Sequence, residues 1–113
     1  MTDTKLRRRV RLMNDRTELK ELINYIEDAV EKFAAVVKTA KEREQIARLL
    51  RSDESITSAE KARERVVVGS ELLAKVLTDK YEKCSASTKR LLPPSDLHDL
   101  VGCMLLTLLE EDN

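Results

Sequence analysis

Apolar residues recur along this chain at steps of three and four, the period of a helix with one buried face. Leu6, Val10 and Met13 form the first such set, within Thr4 to Met13. Arg7, Arg8, Arg9 and Arg11 surround it, so the segment reads as a short basic amphipathic helix, or as an arm that becomes helical on a partner. Asn14-Asp15 then punctuates it, with Asp15 as N-cap and Glu18 as the acidic N3 residue of the next helix. Leu19, Ile23, Ile26, Val30, Phe33, Val37 and Ala40 make the longest stripe, a seam with a mean step of about 3.5 residues. It falters at Lys41 to Glu44 and resumes at Ile46, Leu49 and Leu50. No Gly or Pro stands at that gap, so one long helix from about 16 to 51 is expected rather than two.

Ser52 to Ser58 reads as a connection, and Thr57 with Glu60 as a capping box. The next helix is expected from about Ser58 to Lys83, with Ala62, Val66, Gly69, Leu73, Val76, Leu77 and Tyr81 on its buried face. The Val66 to Val68 run could suggest a strand, but strong helix formers flank it on both sides. Asp28–Lys32, Glu44–Arg48, Glu71–Lys75 and Asp79–Lys83 have the i, i+4 spacing of helical ion pairs. Cys84 to Pro94 forms the second connection, with one helical turn over Thr88 to Leu92. Pro93 and Pro94 keep Leu92 and Pro93 out of regular helix, and Ser95 is the expected cap of the last one. That helix, Asp96 to Glu111, is apolar nearly all round, which predicts burial on every side, either at the centre of the bundle or in a subunit interface.

The fold class expected is therefore all-α: an antiparallel helical bundle of about four helices, two of them long, with a very apolar C-terminal helix. Residues 1–14 form a basic N-terminal helix or arm and residues 15–113 the bundle domain. Composition sharpens this. Aromatic residues are 3% and charged residues 37%, with Gly 2 and Pro 2, which disfavours an all-β chain. Gly69 and Gly102 both fall inside predicted helices, where close helix–helix approach is the expected reason for them. The two cysteines, Cys84 and Cys103, lack the number and spacing of a disulfide framework, so reduced thiols in a cytoplasmic compartment are expected. The basic start is followed by no apolar h-region, and the longest apolar stretch, Val101 to Leu109, spans only about 13 Å as helix. Neither a signal peptide nor a membrane association is expected.

Chemistry is sparse. There is no Gly-rich phosphate loop. His98 and Cys103 stand about 140° apart on a helix and do not share a face. Cys84, His98 and Cys103 lack the fourth ligand and paired spacing of a zinc site. Glu27–Glu31 and Glu60–Glu64 share faces, yet no Glu-x-x-His pair accompanies them. No catalytic residue, metal ligand or cofactor is assigned.

The uneven feature is charge. Residues 1–20 carry seven basic and three acidic residues, while residues 95–113 carry five acidic residues and no Lys or Arg. Lys5, Arg7, Arg8, Arg9 and Arg11 are thus candidates for binding a polyanion or an acidic partner. Arg7, Arg8 and Arg11 lie on one side of a helix and could follow a phosphate backbone without reading bases. Leu100, Met104, Leu105, Leu106, Leu108 and Leu109 are candidates for an oligomer interface, together with the Leu19–Val37 stripe. The function expected is non-enzymatic: a helical adaptor or regulatory protein that binds a protein partner, a second copy of itself, or both. The alternative is a nucleic-acid-binding accessory protein that uses the basic N-terminal helix.

Overall fold

The computed structural model describes the backbone of residues 2–110 and the side chains of residues 16–110. The chain forms α1 (Thr2–Leu50), α2 (Asp53–Glu82), α3 (Ala86–Leu91) and α4 (Pro94–Glu110), with no strand among the described residues. The all-α reading holds, as do the two long helices and the unbroken helix across Lys41 to Glu44.

α1 and α2 make an antiparallel hairpin. Glu18 meets Ser85 just beyond the end of α2, Phe33 lies against Gly69, and Arg63 Nε donates to Glu44 Oε1 at 2.5 Å near the turn. α3 and α4 return along the open end of the hairpin. Cys103, Met104, Thr107 and Leu108 sit beside Glu27 and Glu31, so α4 runs alongside α1 in the same direction. It stops about halfway along the hairpin. The molecule measures 75 × 26 × 18 Å, with a radius of gyration of 19.6 Å. A compact domain of this length has a radius near ~13 Å. This is a rod.

Four boundaries differ from the sequence reading, and capping chemistry explains them. α1 passes through Asn14 and Asp15 without a break. Each residue weakens a helix interior by only about 0.5 kcal/mol relative to Ala, too little to end it without Gly or Pro. α2 starts at Asp53 and not near Ser58, because Ser52 caps it: Ser52 Oγ accepts from Ser55 N at 3.2 Å. Asp53 and Glu54 add negative charge to the positive end of the helix. Thr57 and Glu60 therefore lie inside α2 and cap nothing. The helical turn expected over Thr88 to Leu92 is α3, Ala86–Leu91, capped by Ser85. α4 begins with Pro94 in its first turn, and Leu97 N donates to Pro93 O at 2.9 Å. Proline suits that position since it has no N–H to satisfy, and it displaces Ser95 as the start.

The hairpin turn is only Arg51 and Ser52. Arg51 takes φ 51°, the left-handed conformation that usually ends a helix with Gly, and its N–H donates to Ala47 O at 2.9 Å.

Packing changes along the rod. Near the open end, Leu22, Ile26, Val30 and Leu77 form the buried core, and Leu97, Leu100, Val101, Met104, Leu105 and Leu108 of α4 close over it. Towards the turn, the buried residues are Ala34, Ala40, Ser55, Ala59 and Ala62. Small side chains there let two helices pack closely with no third helix. The face read for α2 is correct, every member being buried or half-buried. The resumed seam at Ile46, Leu49 and Leu50 is not. All three are exposed, because α2 has only one side to offer and Ala40, Ala47 and Ala59 occupy the contact. α4 likewise has no fully buried residue, which corrects its expected burial on every side. It covers one flank of a two-helix hairpin, so its outer surface faces solvent. Leu106 there is 61% exposed. Gly69 has the expected reason for being glycine, since a Cβ would stand 3.3 Å from the Phe33 ring. Gly102 does not: nothing lies within 4 Å of such a Cβ.

Candidate interaction surfaces

The residues singled out for chemistry are dispersed. His98 and Cys103 are exposed on α4, whereas Cys84 is half-buried after α2, its thiol donating to Lys80 O at 3.4 Å. Burial, then the nearby Glu18 carboxylate, push the Cys84 thiol above its ordinary range, against the pull of Lys80 and Lys89. Among the described residues, no group of three His, Cys, Asp or Glu side chains is placed to hold a metal ion. None of the described helices is long and apolar enough to cross a membrane. Lys5, Arg7, Arg8, Arg9 and Arg11 lie outside the residues whose side chains are described.

The six candidates for an oligomer interface separate into two groups. Leu100, Met104, Leu105 and Leu108 pack on the chain's own core. Leu106 is exposed and Leu109 half-buried on the other side of α4. The Leu19–Val37 stripe is also turned inward, with Ile26 and Val30 fully buried.

One polar cluster joins α1 to the start of α3. The Glu18 carboxylate accepts from Ser85 N at 2.8 Å, Ser85 Oγ at 2.7 Å and Thr88 Oγ1 at 2.5 Å. Thr88 is fully buried. These donors, the Thr88 hydroxyl first, stabilise the charged form and hold the Glu18 carboxyl below its ordinary range, against a smaller opposing effect of burial. Tyr81 adds a second tie, its hydroxyl donating to Leu92 O at 2.8 Å. Both contacts fasten α3, and with it α4, to the hairpin. Glu18 is legible in the sequence as a helix-start residue only. Its real partners are some 67 and 70 positions away, and no local spacing announces them.

The apolar surface left open is more extensive than the periodicity suggests. At the turn end, Ile46, Leu49, Leu50 and Ile56 are exposed, Leu49 at 83%. On the flank opposite α4, a groove of about 330 Å³ runs between the two long helices. Tyr25, Ala29, Phe33 and Val36 of α1 and Gly69, Leu72, Leu73 and Val76 of α2 line it, with Asp28 and Lys32 at its rim. Lys80 Nζ sits 5.2 Å above the Tyr25 ring and closes one end. Leu72 stands outside the seam read for α2 and is 58% exposed. The sequence does carry a signal for the groove: Leu72-Leu73 gives α2 a second apolar edge beside its buried one.

The chain matches no family model, no curated protein and no solved structure.

Proposed function

We propose that this protein is a non-enzymatic helical adaptor or regulatory factor that acts by binding a protein partner. The reading rests foremost on the exposed apolar end of the hairpin. Ile46, Leu49, Leu50 and Ile56 gather within two helical turns of Arg51-Ser52, at the far end of the rod from α3. Single exposed apolar residues are ordinary, but four large ones within so short a tip are a concentration of the kind that marks an interaction site. Arg43 and Arg48 of α1, Arg51 of the turn, and Asp53 and Glu54 of α2 surround the tip. That mixed rim suits a polar border around an apolar centre.

The experiment is capture from extracts of the native host with the full chain, its Leu49→Glu/Leu50→Glu variant, and nuclease treatment of each sample. A protein captured by the parent with nuclease present, and lost with the variant, is the expected result. Both leucines are exposed, so the variant folds and its helical circular dichroism stays that of the parent. Capture that nuclease abolishes, and that Arg7, Arg8, Arg9 and Arg11 changed together to Gln also abolish, assigns binding to nucleic acid through the N-terminal helix instead.

A further inference from the structure

We propose that the groove opposite α4 is the seam of an antiparallel, two-fold symmetric homodimer. The surface is distinct from the hairpin tip, so this proposal and the adaptor reading stand or fall separately.

The first support is the amount of surface left open. The chain exposes 8948 Å². A compact protein of this mass exposes roughly 6,300 Å². The excess, about 2,600 Å², belongs to the rod as a whole, and a standard interface takes roughly 800 Å² from each partner. One flank of the hairpin is covered by α4 and its opposite flank is bare, although Tyr25, Phe33, Leu72 and Val76 lie along it.

The second support is charge, and it selects a second copy over an unrelated partner. Phe33 lies against Gly69, so in the antiparallel hairpin Val30 of α1 is level with Leu72 of α2. Asp28 and Lys32, which are paired at 3.2 Å within α1, stand two residues either side of Val30 on the groove rim. Arg65 and Asp79 stand seven residues either side of Leu72, two helical turns away on its own face, and both are exposed. A two-fold axis crossing the rod at this level exchanges Asp28 with Lys32 and Arg65 with Asp79. Asp28 and Asp79 then each meet a base of the partner chain, one on either helix, about one centre. The apolar lining straddles the same level, from Tyr25 to Val36 on α1 and from Gly69 to Val76 on α2. An isologous interface requires this kind of self-complementarity. Two hairpins laid face to face complete a four-helix layer that the single chain leaves half built.

Light scattering and sedimentation equilibrium on the pure full chain at micromolar concentration test this. The parent should have twice the 12.9 kDa mass of one chain. Leu72→Glu should give one chain of unchanged helicity, since the side chain is exposed in the monomer. Arg65→Asp and Asp79→Arg should each weaken the dimer roughly tenfold or more by setting like charges opposite one another. Mixing these two variants should restore association, because each mixed contact again joins Asp to Arg. A parent of single-chain mass overturns the proposal. So does a dimer that persists in Leu72→Glu, which would place the interface on another face. Failure of the mixture to associate overturns the antiparallel register.

Discussion

The two halves of the rod solve one packing problem in different ways. Near the open end, three helices surround Leu22, Ile26, Val30 and Leu77, and the large side chains are shielded on all sides. Near the turn only two helices are present, and two cylinders can bury only the strip along which they touch. Large residues on that strip would hold the helices apart, and those beside it would remain wet. The chain places Ala34, Ala40, Ser55, Ala59 and Ala62 on the strip and leaves Ile46, Leu49 and Leu50 beside it. Side-chain size in the seam thus follows the number of helices available to cover it. The two-helix half gains less from apolar burial and depends on close backbone approach, the capped turn at Ser52 and the Glu44–Arg63 ion pair. It also leaves Ile46, Leu49, Leu50 and Ile56 exposed at its tip.

This contrast can be broken most strongly at matched isoleucines. Ile26→Ala in the three-helix core should cost about 2–5 kcal/mol, whereas Ile46→Ala in the two-helix half should stay within about 0.5 kcal/mol. Urea denaturation of the two variants reads both values. Equal costs would mean that the turn half is enclosed after all.

Glu18 comes next, because it ties the third helix to the hairpin. Glu18→Ala removes the acceptor of three hydrogen bonds and should cost about 1.5–3 kcal/mol. Glu18→Gln isolates the charge. The carboxyl is held below its ordinary range in the folded chain, so its contribution is complete above that range and disappears as pH falls through the lowered folded value. The stability gap between parent and Glu18→Gln should accordingly be constant at neutral pH and close on acidification. A gap that widened in acid would contradict the hydrogen-bond assignment.

The smallest effect concerns the alanine strip. Ala62→Leu should force α1 and α2 apart and cost about 1–3 kcal/mol, although it adds apolar area. Thermal unfolding with hydrogen exchange at the turn measures it. A stabilised Ala62→Leu variant would show that the turn half is loosely packed rather than closely fitted.

Much of the fold is legible in the sequence. The seam from Leu19 to Ala40 and the Ala62–Tyr81 face are periodic over many turns, and each lies where its period places it. The unbroken course of α1 accords with the absence of Gly and Pro between 41 and 44. Boundaries are less legible, since Ser52 and Thr57 both have capping chemistry and local pattern does not rank them. Ser52 starts α2 because the hairpin closes there, bringing Ser55 and Ala59 onto α1.

The candidate surfaces divide along the same line. Periodicity reports that a face is apolar and is silent on what covers it. An apolar circumference on α4 predicts burial all round, yet only the edge holding Leu97, Leu100, Val101, Met104, Leu105 and Leu108 meets the core, and Leu106 faces water. Leu72, Leu49 and Leu50 carry the same hydrophobicity as residues that are buried. By itself the sequence determined which segments are helical and which edge of each is most apolar, because those properties depend on neighbours three and four residues away. Only the tertiary structure decided which apolar edges are covered, where Glu18 finds its donors and which flank of the hairpin stays open. Those depend on groups distant in the chain, and on α4 reaching only halfway along the rod.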